Sequence, residues 1–147
     1  MKLKVLFIAV MIILVAGCAK DKEAITGSDF LEKAEEANYK MVDNTAAFDY
    51  AESVYSVSSK EFTMYFIDGK KSYDIKGLFL DECANIYKKM TDEYDKTTTG
   101  GDNWTTLEIK TDKKYYYVSW VKDTYLYIEA PLAKEKELEK FVDSLGY

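Results

Sequence analysis

The chain of 147 residues contains no histidine, no arginine and no glutamine, and only one proline. Without histidine it lacks the commonest general base near neutral pH and the commonest zinc ligand. Without arginine it has no planar fork to hold a carboxylate or phosphate at two points. All 20 basic residues are therefore lysines. AT-rich coding DNA also favours Lys, Ile and Tyr, but the chemical consequence is the same. Any chemistry must come from Asp, Glu, Lys, Tyr, Trp, Ser and Thr. Several short signatures are missing as well. There is no Gly-x-Ser-x-Gly elbow, no phosphate-binding loop and no Gly-x-Gly-x-x-Gly turn. Gly100-Gly101 by itself reads as a flexible loop. These absences argue against an enzyme and against a bound cofactor or metal.

Cysteine is also scarce, with one residue near the start and one in the middle. The first, Cys18, ends the stretch Leu14-Val15-Ala16-Gly17-Cys18. Lys2 and Lys4 precede an unbroken apolar run from Val5 to Ala16, and Lys20-Asp21-Lys22-Glu23 follow it. A positive start, a short apolar core and small residues before the cut describe a secretory signal. The run is too short to span a bilayer, which takes ~20 residues. A cysteine directly after the small residues can take a diacylglyceryl thioether. The segment 1–17 is thus expected to be a lipoprotein signal peptide, cut after Gly17, with Cys18 lipidated. Two acyl chains suffice for stable anchoring, whereas one is marginal. The expected location is the cell membrane, lipid-anchored on its extracytoplasmic side, and the bilayer is the expected partner at Cys18. Residues 18–26 would form a short tether, and residues 27–147 a single domain. Seven extended residues, Ala19 to Ile25, reach about 25 Å at most, so the domain would ride close to the membrane.

Losing residues 1–17 removes two lysines and no acid, which makes a net charge of −6 more negative still. An acidic body repels phosphate backbones and anionic lipid, so nucleic acid is not an expected partner. If Cys18 carries lipid, Cys83 has no partner for an intramolecular disulfide. Beside Asp81 and Glu82 its thiolate is disfavoured, and it reads as a small buried apolar residue.

Thr26-Gly27-Ser28-Asp29 resembles a capping box and should open a helix with Phe30, Ala34, Ala37 and Met41 inward. Asn38 suits its C-terminal cap, because Asn tolerates the left-handed conformation. Tyr39 to Val42 reads as a short strand. Tyr50–Ser58 and Glu61–Ile67 read as a hairpin turning at Ser58-Ser59-Lys60. Ser72 should cap a second helix, with Ile75, Leu78, Phe79, Cys83, Ile86, Tyr87, Met90 and Tyr94 apolar along one side. Gly77 in that helix suggests close packing on a sheet. Thr97 to Asn103 reads as a polar, mobile loop. Trp104–Lys110, Tyr115–Lys122 and Tyr125–Ala130 read as three strands, antiparallel because their connections are so short. Pro131 should open a last helix with Leu138, Phe141, Val142 and Leu145 inward and Gly146 ending it.

The expected fold class is α+β, an antiparallel meander sheet with helices packed on one face. The expected order is α-β(2-3)-α-β3-α, open to a reading as two αβββ halves, although no residue-level repeat supports that. The Val15-Ala16-Gly17-Cys18 box, Ile25-Thr26-Gly27-Ser28-Asp29-Phe30, Tyr116-Tyr117-Val118 with Asp123-Thr124-Tyr125-Leu126-Tyr127, and the ending Phe141-Val142-Asp143-Ser144-Leu145-Gly146-Tyr147 resemble small lipoproteins of clostridia and related Gram-positive bacteria. That family more often has Asn-Thr at Asp123-Thr124 and Gly at Asn38, both turn substitutions. The resemblance implies the same anchoring and architecture and brings no activity with it.

Strand alternation over the last three strands places Thr105, Leu107, Ile109, Tyr116, Val118, Trp120, Leu126 and Ile128 on the expected core face. The opposite face then collects Trp104, Thr106, Glu108, Tyr115, Tyr117, Ser119, Tyr125, Tyr127 and Glu129. Within it, Trp104, Tyr115, Tyr117, Tyr125, Tyr127, Glu108 and Glu129 form a candidate binding face for a protein, peptide or glycan. The same tyrosines also suit plain strand pairing. The 26 acids offer no singled-out catalytic pair. Asp92, Glu93 and Asp95 lack the loop spacing of a calcium site. The expected function is a membrane-anchored lipoprotein with a non-catalytic binding domain. One alternative is an immunity-type lipoprotein that sequesters a toxic peptide or enzyme. The other is a carboxylate-dependent hydrolase acting on cell-wall polymer.

Overall fold

The computed structural model describes residues 19–91 and 93–147; the signal segment, Cys18 and Asp92 lie outside them. The elements in chain order are helix α1 (Gly27–Glu36), strands β1 (Met41–Asp43), β2 (Ala51–Val57) and β3 (Thr63–Gly69), helix α2 (Ile75–Lys89), strands β4 (Asp95–Gly100), β5 (Trp104–Lys110), β6 (Lys114–Val121) and β7 (Thr124–Pro131), and helix α3 (Glu135–Leu145). All seven strands form one antiparallel sheet in the order β1-β2-β3-β7-β6-β5-β4. The class is α+β, as the sequence leads one to expect. No helix among the described residues is long and apolar enough to cross a membrane.

Local chemistry sets the ends of α1. Thr26 accepts a hydrogen bond from the Asp29 backbone N–H at 3.2 Å. Asn38 sits at φ 62°, and the Asn38 and Tyr39 N–H groups return to the carbonyls of Glu35 and Ala34. That double closure is a Schellman motif, and it orders the turn into β1. In α3, Leu138, Phe141, Val142 and Leu145 are all buried, and Gly146 closes the helix at φ 78°. Tyr147 then folds back, its hydroxyl bonded to that of Thr124.

The helices do not share one face, which corrects the one-face expectation. Phe30 and Ala34 of α1, and the buried stripe of α3, pack on Tyr55, Met64, Phe66, Tyr115, Tyr117, Leu126 and Ile128. Phe30 stacks on Phe66 with ring centroids 4.2 Å apart. Helix α2 lies on the other side, where Ile75, Phe79 and Ile86 meet Val54, Ile67, Leu107, Ile109, Val118, Tyr125 and Tyr127. The chain leaves β3 in the middle of the sheet, crosses the second face as α2, and starts again at the far edge.

That arrangement also rules out two αβββ copies. Neighbouring antiparallel strands such as β3 and β7 are related by a two-fold axis perpendicular to the sheet. Such an axis keeps each helix on its own face, yet α1 and α2 lie on opposite faces. The order is α-β3-α-β4-α, because Asp95–Gly100, which overlaps the expected Thr97–Asn103 loop at Thr97–Gly100, is strand β4. Every residue of β4 is exposed and none is apolar, so it carried no alternation to read. Its threonines suit a strand, and its polar character guards a free sheet edge. Helix α2 is capped by Asp74 rather than Ser72 and ends before Tyr94. Gly77 packs against that cap, not the sheet. A Cβ there would meet the Asp74 carboxylate at 2.8 Å.

Candidate functional site: a cleft beside the last helix

Six strand spacings of ~4.8 Å make the sheet roughly 29 Å wide, while two packed helices cover roughly 20 Å. On the α1/α3 face the shortfall falls over β5 and β4. There the N-terminal segment runs along the end of the sheet, meeting the β4–β5 turn at Asn103, Trp104 at the start of β5 and the β6–β7 turn at Lys122. Between that segment and α3 lies a cleft of about 200 Å³, lined on its floor by Trp104, Thr106, Glu108, Tyr115 and Tyr117. Glu139 and Asp143 of α3 form one wall, and Lys22 closes the opposite rim.

The N-terminal segment is fastened rather than free. The Trp104 indole N–H donates to the Lys20 carbonyl at 3.1 Å. The Asn103 amide both accepts from the Lys22 N–H (3.0 Å) and donates to the Lys22 carbonyl (2.8 Å). The Lys22 ammonium lies 4.0 Å from the centre of the Trp104 ring. Gly101 makes room for this, since a Cβ there would sit 2.6 Å from the indole nitrogen. Gly101 thus serves close packing, and Gly100 ends strand β4.

Polar groups under and around the cleft are coupled. Thr106 and Ser119 hydroxyls meet at 3.2 Å in the sheet. The Tyr115 hydroxyl donates to Glu108 at 3.3 Å. Lys110 binds Glu108 at 3.0 Å, Glu139 at 3.1 Å, and Glu135 as well. These carboxylates raise the Lys110 ammonium above the ordinary lysine range, with the Glu135 bond the largest cause. Burial pushes the Tyr117 phenol up to about 12. Burial first, then Glu108 and Glu139, raises Tyr115 further. Both phenols are therefore neutral donors near physiological pH. Burial lowers the Lys22 ammonium, and Asp143 partly opposes that. Three lining carboxylates (Glu108, Glu139, Asp143) thus face one lining ammonium (Lys22), and the adjoining Glu135 and Lys110 add one charge of each sign. The cleft has an excess of negative charge and a hydroxyl-bearing aromatic floor, which complements a cation.

Of the seven residues of the candidate face, the structure brings four together at this cleft: Trp104, Glu108, Tyr115 and Tyr117. It separates Tyr125, Tyr127 and Glu129, which lie on the opposite face under α2. The single aromatic face is therefore corrected, and its four tyrosines are buried, the most exposed at 6 %. The cause is register. The β6–β7 hairpin has a two-residue loop, Lys122-Asp123, which pairs Tyr117 with Ile128 and Val118 with Tyr127. A three-residue loop would have paired Tyr117 with Tyr127. One residue of slip exchanges every side chain of β7 between faces. Glu129 is committed to local bonds, accepting from the Tyr127 hydroxyl at 2.8 Å and pairing with Lys114 and Lys89.

Glu139, Asp143 and Lys22 escaped sequence reading. Glu135, Glu139 and Asp143 do recur at helical i, i+4 spacing, one position from the buried stripe, so a row beside the core edge was legible. What it would face was not. Of the Asp92, Glu93 and Asp95 acids, Asp92 lies outside the described residues, and the other two are exposed. Cys83 is half-buried, and burial pushes its thiol up to about 11. The chain matches no protein-family model, no curated protein and no solved structure.

Proposed function

We propose that this chain is a membrane-anchored extracytoplasmic lipoprotein, held by a diacylated Cys18, whose domain is a non-catalytic binding module. The cleft beside α3 is its binding site, and a cationic group of a peptide or protein is its ligand. The observation that carries the ligand class is the charge imbalance over an aromatic floor: Glu108, Glu135, Glu139 and Asp143 against Lys22 and Lys110. The address rests on the Leu14 to Cys18 box and the lysines before it. A cationic ligand also suits the immunity-type role, in which a toxic peptide is intercepted at the membrane.

Metabolic labelling with a fatty-acid probe and mass spectrometry of the processed N-terminus test the address. Unmodified full-length chain recovered from the soluble cell interior would end that part of the proposal. The ligand class is tested by titrating the lipidated protein, in a Trp120→Phe background, with a lysine-rich peptide and with its fully acetylated counterpart, following Trp104 fluorescence. The native cleft should prefer the cationic peptide, and Glu139→Gln with Asp143→Asn should weaken it. Equal response to both peptides, or none, would refute the cleft assignment. Deletion of the chain should sensitise cells to a cationic bacteriocin, and unchanged sensitivity across a panel would remove the immunity role.

A further inference from the structure

We infer that one end of the sheet lies against the outer-leaflet headgroups in a set orientation, held by the clamp on the N-terminal segment. This rests on the anchoring proposed above. The argument is one of reach. Lys20, whose carbonyl is fixed by Trp104, stands two residue steps from Cys18, which is at most ~7 Å of chain. A free tether from Cys18 to the start of α1 would allow about four times as much. Strand β6 alone, with eight residues, is ~27 Å long. The leash is therefore much shorter than the body it holds, and the body cannot turn its far end to the bilayer while the clamp stays closed.

The near end is defined by the same contacts. It comprises the β4–β5 turn (101–103) that grips the segment, the Lys122-Asp123 hairpin turn, and the connection from β3 to α2. The Lys122 N–H donates to the Asn103 carbonyl at 2.9 Å, and the Gly69 N–H to the Asp123 carbonyl at 2.7 Å, so the three loops form one surface. Lys70, Lys71 and Tyr73 are exposed on it, with Tyr73 stacked on Tyr50 at 4.2 Å. Tyr and Lys are residue types that sit well at a headgroup boundary. Asp102 and Asp123 in the same turns offset the lysines, so the clamp rather than charge attraction sets the orientation. The Trp104 end of the cleft is then its membrane-near end, which places the ligand at headgroup level. The β5–β6 turn around Asp112 is the far end.

The experiment uses full-length, lipidated protein in phosphatidylcholine vesicles that carry a nickel-chelating headgroup lipid. Spin labels are placed at Asp102→Cys or Asp112→Cys in a Cys83→Ala background, and only protein that floats with the vesicles is measured. Nickel relaxation should be several-fold stronger at position 102 than at 112. In Asn103→Ala with Trp104→Phe, which removes the clamp donors, that ratio should fall towards one. Equal relaxation at both positions in floating protein with the native clamp would overturn the orientation. A ratio unchanged by the clamp variant would overturn the clamp as its cause. Failure to float would show instead that the anchoring fails, and the inference with it.

Discussion

Replacing Lys110 by methionine tests whether charge organises the wall of the cleft. Lys110 ends β5, and its ammonium meets Glu108, Glu135 and Glu139 at one point. Methionine keeps most of the stem, so its packing beside Tyr115 is largely retained. The side chains of the hub are between 22 % and 38 % exposed. Pairs of this kind are worth ~0.2–1 kcal/mol each, and one ammonium is desolvated only once. The expected loss is about 1–2 kcal/mol, with mutual repulsion of the three abandoned carboxylates included. For a domain of this size that is roughly 4–8 °C in Tm. The sign with pH follows from both partners. Lys110 is raised on folding, so its contribution is full below the ordinary lysine pKa of ~10.4 and fades as pH rises through the folded value. Glu135 is lowered, chiefly by Lys110, so its contribution is full above ~4.3 and fades as pH falls through its folded value. Thermal melts of native chain and variant should therefore differ most near neutrality, and the difference should shrink at about pH 3. It should also shrink in ~1 M salt, where the Debye length is about 3 Å. An equal Tm deficit at both pH values would assign the effect to packing and refute the electrostatic reasoning.

Three other outcomes follow from the fold. Gly27→Ala should cost ~1–3 kcal/mol in urea unfolding, because the new methyl would stand 2.8 Å from the Ser53 Cβ under α1; an unchanged midpoint would show that α1 can lift. Lys122→Gly should raise Tm by the equivalent of ~0.5–1 kcal/mol, since Lys122 holds φ 50° in the hairpin turn, where an L side chain costs ~1–2 kcal/mol; its ion pair with the fully exposed Glu23 offers little to lose. Cys83 should react slowly with Ellman's reagent in folded protein near pH 8 and quickly after denaturation, because burial holds its thiol up to about 11; fast reaction of folded protein would show a more open site.

Much of the cap and stripe chemistry was legible because it is local. Thr26 to Asp29 opened α1 where the capping pattern stood, and Asn38 took the left-handed turn for which its side chain suits it. Trp104–Lys110 emerged with the expected bounds, since its alternation is unbroken and turn residues flank it. The second helix was overextended to Tyr94, because an apolar spacing alone does not mark where a helix stops. Strand β4 was invisible, since an edge strand exposed along its length needs no apolar face and owes its form to pairing with β5.

The α+β class, the element types apart from β4, and the buried Phe30-Ala34 and Leu138-Phe141-Val142-Leu145 stripes were decided by the sequence alone, for they depend on contacts within a few residues along the chain; Met41, at the same spacing as Phe30 and Ala34, begins β1 instead. The division of helices between two faces, the phase of β7 and the cleft were decided only by tertiary structure. With both faces of the sheet covered, Tyr125-Leu126-Tyr127-Ile128 is buried on both sides, so no polar side reports which residue points where, and a single residue of loop length settles it. Lys22, Trp104, Glu139 and Asp143 come from three distant parts of the chain, and only the docking of the N-terminal segment and of α3 against β5 brings them to one site.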